Sequence, residues 1–282
     1  MTTVLITGAT DGLGRALAER LAADGADLIL HGRDRARLEA VAAAVGGAPV
    51  TLLADFADLS QVRKLAADVG AATDRLDALV NNAGIGSGEP DGRERRVSAD
   101  GYELRFAVNY LAGFLLTTEL LPLLKRSAPA RVVNVASLGQ APLDFDDLML
   151  ERGYSGTRAY GQSQLAQIMS GFELAARVPA AEVTVNSLHP ATYMPTKMVL
   201  QEIGHHVDEL STGVAAVRRL VTGPEVAGVT GRFFDRQRET RAHPQAYDES
   251  ARAELWRRSE ELAGSGRQKN RSASIPADGP VV

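Results

Sequence analysis

The chain alternates between two hydrophobic periods. Short runs with apolar residues at consecutive positions end in small or polar residues: TVLIT (3 to 7), DLILHGR (27 to 33), VTLLAD (50 to 55), LDALVNNAG (76 to 84), RVVNVAS (131 to 137), VTVNSLHP (183 to 190) and GRFFD (231 to 235). Between them lie Ala- and Leu-rich segments at helical spacing, 13 to 24, 34 to 45, 60 to 71, 103 to 126 and 158 to 178. Strands that are apolar on both faces must be covered on both, and strands joined by helices run parallel. The pattern predicts a doubly wound α/β fold, with seven mostly parallel strands and helices on both faces of the sheet. No repeat and no break in composition divides the chain before residue 263, so one domain is expected over 1 to 263. The Gly-, Ser- and Pro-rich remainder, 264 to 282, has little to bury and is expected to be disordered.

Composition narrows the partners. The 282 residues are 45% hydrophobic, and no run of about 20 uncharged apolar residues is present. A soluble protein without a membrane partner is expected. The N-terminus enters its first apolar run without a basic region or a signal-type stretch, which predicts a cytoplasmic protein. The absence of cysteine excludes disulfides and thiolate metal sites. A net charge of -4 and a pI near 5.8 give no electrostatic footing for nucleic acid, and a small molecule is the expected partner.

The first chemical signal is TGATDGLG, Thr7 to Gly14, placed between the first strand and the first helix. Gly8, Gly12 and Gly14 allow a sharp turn and close backbone approach to a pyrophosphate, which the free N–H groups and dipole of the following helix can receive. An ordinary Gly-rich turn is the bland alternative, and the position between strand and helix favours the nucleotide.

The G-x-x-x-G-x-G spacing resembles that of the short-chain dehydrogenase/reductase family, and matches recur in order over about residues 3 to 235. They are NNAG (Asn81 to Gly84), Asp55 ending the third strand, Asn109 in the long helical segment, Ser137 closing the fifth strand, and Tyr160 opening a helix. The long interval between Ser137 and Tyr160 is similar to the retinol-dehydrogenase-like branch. The resemblance implies a Rossmann-type fold and an NAD(P)-dependent oxidoreductase. It also implies a nucleotide held by Gly8, Thr10, Asp11, Gly12, Leu13, Gly14, Asp55, Asn82, Ala83, Gly84, Tyr160, Gln164, Pro190 and Thr196, and a catalytic set of Asn109, Ser137, Tyr160 and Gln164. Taken singly, Asn81, Asn109 and Ser137 read better as buried polar groups satisfying backbone atoms. His189 and the pair His205 and His206 lack a third ligand at metal spacing, and no metal is expected. Trp256 reads as a core or interface anchor.

The second strand bears on cofactor type. An acidic residue near its end would take a ribose 2'-hydroxyl, and an arginine a 2'-phosphate. His31 and Gly32 stand where an aspartate would be, Arg33 follows, and Asp34 suits the cap of the next helix. Although Asp11 opposes an extra phosphate, NADP(H) is favoured over NAD(H).

The catalytic helix departs from the family in one respect. In the family a lysine four residues after the tyrosine lowers the phenol pKa and binds the nicotinamide ribose; here that residue is Gln164, which can hydrogen-bond but carries no charge. Three readings follow: a reductase in which Tyr160 is protonated without help, an enzyme disabled by the substitution, and a fold recruited to non-redox chemistry or ligand binding. A ketone or aldehyde of a small, largely apolar substrate fits the first. The substrate segments implied by the resemblance are 85 to 101, 142 to 158 and 190 to 210, the last resembling a lid. There Met194, Met198, Val199, Leu200 and Ile203 suggest an apolar ligand, with helix packing as the alternative. The apolar excess of the two long helices, including Phe114, Leu115, Leu116, Ile168, Met169 and Phe172, points to a homo-oligomer, while the long segment before Tyr160, through the branch it resembles, argues for a monomer.

Overall fold

The computed structural model describes residues 2 to 88 and 92 to 272, with side chains described as far as Gly264. Seven strands run parallel: β1 (Thr3–Ile6), β2 (Asp27–Gly32), β3 (Val50–Leu53), β4 (Ala78–Asn81), β5 (Ala130–Val135), β6 (Val183–His189) and β7 (Arg232–Asp235). An eighth, β8 (Arg238–Thr240), folds back antiparallel on β7 and gives the order β3-β2-β1-β4-β5-β6-β7-β8. The expected count of seven is therefore one short. RET has three polar or charged residues and no alternation from which a strand could be read.

Side chains leave each strand alternately to the two faces. Val4 and Ile6 enter a core under α1 (Gly12–Ala23), α2 (Arg35–Val45) and α7 (Leu210–Thr222), while Leu5 between them enters the core on the other face. That second core lies under α3 (Leu59–Ala72), α4 (Ala112–Arg126), α5 (Gly156–Arg177) and α8 (Glu249–Ser272). Leu79 and Val80, Val132 and Val133, and Phe233 and Phe234 divide between the two faces in the same way.

The long apolar segment is one continuous rod, Phe106–Arg126, whose first six residues, Phe106–Leu111, are π-helical. It is long and apolar enough to cross a bilayer, yet 72% of its most apolar window is buried inside the fold. The side of α4 and α5 turned away from the sheet is covered by α8. Trp256 meets Phe114 edge-on at 4.9 Å and carries the Arg177 guanidinium 4.5 Å from its ring, and the hydroxyls of Tyr110 and Ser259 lie 2.6 Å apart in the core. The apolar excess that suggested an oligomer is thus used within the chain. The helix α8 also runs past the expected start of the tail, through Ser272. Propagating a helix costs little once its docked turns have nucleated it. The rest of that expected tail, 273 to 282, lies outside the described residues.

Candidate active site

The strand order reverses between β1 and β4, and the crevice beyond their carboxyl ends is where the predicted nucleotide loop lies. Gly8 has φ +66°, and a Cβ there would come within 2.8 Å of the Ala83 Cα; one at Gly14 would meet the Gly8 carbonyl oxygen at 2.2 Å. At these two glycines the loop is pressed against NNAG with no room for a side chain. Asn82 donates from Nδ2 to the Thr7 and Gly8 carbonyls (2.9 and 3.2 Å). Thr7 Oγ1 receives the backbone N–H groups of Asn82 and Ala83 (2.9 and 3.0 Å). Thr7 therefore binds the two loops together, a role the sequence pattern did not reveal because a threonine ending a strand is common. Asp11 caps α1 by accepting from the Gly12 N–H at 2.7 Å, and Leu13 is buried beneath the loop.

On the adenosine side, a Cβ at Gly32 would sit 2.4 Å from the Thr10 methyl, so as packed there is no room for an acidic side chain. Arg33 is exposed, and among the described residues no carboxylate pairs with it. Asp34 caps α2, accepting from the Arg37 N–H at 3.0 Å. Arg37, which the sequence reading missed, brings a second guanidinium to the loop, 4.0 Å from Asp11 and 3.9 Å from Asp34. It lies in the first turn of α2, four residues after Arg33, and its basic side chain at the start of that helix was the available signal. Asp55 is fixed just past β3, its Oδ1 accepting from the Ala57 N–H and its own N–H donating to Gln61 Oε1, both at 2.9 Å.

His31 ties this side to the glycine loop. The Gly8 N–H donates to Nδ1 at 3.3 Å, which leaves the proton on Nε2 to donate to the Ala54 carbonyl at 3.0 Å, and the ring stacks on Phe56 at 4.5 Å. Burial, only partly opposed by the Ala54 hydrogen bond and the Asp55 charge, lowers its pKa to about 4.

Of the catalytic set predicted from the sequence, Ser137 and Tyr160 come together just past the end of β5. Asn109 lies in the π-helical turn and is buried, its Oδ1 accepting from the Ile85 N–H at 2.7 Å. Its Nδ2 donates to the Ile85 carbonyl and to Ser163 Oγ, at 3.1 and 3.0 Å. Its side chain thus joins the loop after β4 to α5. Ser155 caps α5, accepting from the Arg158 N–H at 3.2 Å, and so sets Tyr160 in the first turns of that helix. Burial raises the Tyr160 phenol above its ordinary pKa, a hydrogen bond with Ser137 partly reverses this, and the charges of Glu202 and Tyr193 add to the rise. No cation is among these influences. Gln164, one turn on, is 6% exposed.

The predicted lid is a flap closed at its base. Thr192 and Asp208 pair through backbone N–H to O at 3.0 Å, as do Val207 and Tyr193 at 2.9 Å; Arg236 holds the Asp208 carboxylate at 2.5 Å. Pro190 is buried at the start of the flap, and Thr196, the cap of α6 (Lys197–Glu202), lies over the glycine loop, its methyl 3.0 Å from where a Gly12 Cβ would be. The apolar lid residues do not share one fate. Met194 packs into the core against Leu13 and Gly213, Met198 faces Gly86, and Leu200 and Ile203 are exposed. The lid sequence thus overstated the apolar lining: a helix of six residues cannot turn all its apolar groups inward. In the loop after β4, residues 89 to 91 lie outside the described residues.

The profile of the family described as short chain dehydrogenase matches residues 2–204. Human retinol dehydrogenase 14 is 37% identical to the chain, covering 93% of it and 86% of the human protein; human retinol dehydrogenase 13 is 33% identical, covering 97% and 88%. Among solved structures, the Pseudomonas aeruginosa RhlG/NADP active-site complex is similar at a TM-score of 0.66 and 26% identity, covering 83% of this chain and 94% of that one.

Proposed function

Because this chain belongs to the short chain dehydrogenase family, we propose that it is an NADP(H)-dependent reductase of a ketone or aldehyde with a largely apolar body. The observation that carries this reading is the pairing of Ser137 with a Tyr160 whose pKa is raised, beside a loop in which Gly8 and Gly14 leave no room for a Cβ. The residues present fit a dinucleotide. The loop Gly8 to Gly14 and the N-terminus of α1 would receive its pyrophosphate. Arg33 and Arg37 would receive a 2'-phosphate where Gly32 leaves no room for an acid. Asp55 would border the adenine, and Gln164 and Thr196 the nicotinamide half.

When bound, the nicotinamide supplies hydride. Reduction also needs donors for the developing alkoxide and a proton to complete the alcohol. Tyr160 is protonated at neutral pH because burial and nearby negative charge both favour the phenol. It donates its proton to the strongly basic alkoxide while Ser137 donates a hydrogen bond to the same oxygen, and the phenolate left behind regains its proton from solvent before the next turnover. A lysine is not needed for this direction. Oxidation requires the phenolate, which this site disfavours, so the assigned direction is reduction.

The test follows nicotinamide absorbance with a panel of aryl and alkyl ketones and aldehydes, beside calorimetric titration of NADPH and NADH. NADPH should bind more tightly, and Arg33→Ala should weaken it by about 10- to 100-fold with little effect on NADH. Tyr160→Phe should lower reduction by about 10²- to 10⁴-fold without loss of nucleotide binding. A chain that binds neither nucleotide, or whose Tyr160→Phe variant keeps full activity, would remove this reading.

A further inference from the structure

We infer that Glu202 is the specificity-determining residue of the substrate pocket, and that it selects carbonyl compounds bearing a hydroxyl or protonated amine away from the reacting carbonyl while rejecting carboxylates. This deepens the reductase reading and rests on it.

Glu202 ends α6 and reaches across to the loop after β4, where Ser87 donates to its Oε2 from both backbone N–H and hydroxyl, at 3.1 and 2.7 Å. The other oxygen, Oε1, is buried and meets no donor among the described residues. The carboxylate fits because the loop has glycines on either side of Ser87. A Cβ at Gly86 would lie 1.9 Å from Oε1, and one at Gly88 would lie 3.1 Å from the Glu202 Cγ.

The loop is also held from behind. The Arg105 guanidinium, fully buried, donates to the Gly86 and Ser87 carbonyls at 2.8 and 2.6 Å and to the Tyr154 hydroxyl at 2.6 Å. Those two carbonyls face Arg105, while the Ser87 N–H and hydroxyl face Glu202. Arg105 itself is paired with the buried Glu103 at 3.8 Å. Glu202 also bears on the catalytic tyrosine, since its charge is among the influences on the Tyr160 phenol, and Met198, on the same short helix, faces Gly86.

A latch needs only Oε2, and a neutral side chain would serve. A carboxylate with one buried oxygen left unpaired is costly. A ligand that brings a donor to that oxygen recovers the cost, and one that brings a second negative charge adds to it. Apolar contact alone cannot separate such substrates by more than a modest factor, whereas an unpaired buried polar group can.

The experiment compares four ketones of similar shape, 4-(aminomethyl)acetophenone, 4-(hydroxymethyl)acetophenone, 4-ethylacetophenone and 4-acetylbenzoate. Reduction by NADPH and calorimetric binding to the NADP-loaded protein are both measured. The native chain should favour the ammonium compound over the carboxylate by at least 100-fold in kcat/KM and in affinity, with the hydroxymethyl compound ahead of the ethyl compound. In Glu202→Gln that ratio should fall at least tenfold. Gly86→Ala, which keeps the glutamate but forces it out of its cradle, should lower the ratio in the same sense. Ordered binding without turnover would uphold the selectivity and overturn the reductase reading; turnover without the order, or the same order in both variants, would overturn the selectivity alone. If no probe is bound or reduced, both fall.

Discussion

At the residue scale, the glutamine standing where a lysine was expected offers a test of the proposed direction of reaction. Gln164→Lys places a cation one turn from Tyr160 and should stabilise the phenolate. Oxidation of an alcohol at alkaline pH should then rise by at least tenfold, while reduction at neutral pH changes little; nicotinamide absorbance in both directions is the measurement. Equal gains in both directions would show that Gln164 limits nucleotide binding and not the proton.

His31 makes a prediction of a different kind. Its pKa is about 4 in the fold, below the ordinary 6.5, because burial disfavours the imidazolium. Below pH 6.5 the unfolded chain takes up the proton first. The contribution of the neutral ring is therefore whole above that value and is lost as pH falls towards 4, amounting to about 3 kcal/mol. Denaturant melts from pH 7 to pH 4 should show this loss, and His31→Gln should flatten it. In the folded chain the ring takes up its proton only near pH 4, where it ceases to accept from the Gly8 N–H, so NADPH affinity should hold from pH 7 to 5 and weaken only towards pH 4.

At the scale of elements, α8 is what closes the outer side of α4 and α5. Trp256 is buried between Phe114 and Arg177, and truncating it leaves a cavity in the larger core. Trp256→Ala should cost about 3 to 5 kcal/mol, read from denaturant unfolding. The variant should also bind a hydrophobic dye on the uncovered face. An effect below about 1 kcal/mol would mean that α8 is only loosely docked. The long helix α5 was legible in the sequence to within two residues at each end, because its apolar spacing is a local signal. The π-helical turn was not. A six-residue change of winding leaves the apolar pattern nearly intact, and what distinguishes it is the cross-chain bonding of Asn109 to Ile85 and Ser163.

At the scale of the whole molecule, the apolar helix residues from which association was expected are packed inside the chain. Phe114, Leu115, Leu116, Ile168, Met169 and Phe172 all lie in the core shared with α8. The chain should therefore behave as a single species of about 29.9 kDa in light scattering at micromolar concentration. A dimer that dissociates on truncation of α8 would place the subunit contact on that helix instead.

What the sequence determined by itself is what depends on local pattern: the alternation of strands and helices, the glycine loop after β1, and the order of Asp55, NNAG, Asn109, Ser137 and Tyr160 along the chain. Each of these is written in neighbouring residues, through hydrophobic period, turn chemistry or motif spacing. The tertiary structure decided what depends on residues far apart in the chain. Thr7 is bonded to Asn82 and Ala83, Arg37 reaches Asp11, α8 covers α4 and α5, and Glu202 is seated on Ser87 between two glycines. The reason is physical. A side chain's partners are set by where the sheet and its crossovers carry the backbone, and the burial that shifts the pKa values of His31 and Tyr160 exists only once the two layers of helices have closed over the sheet.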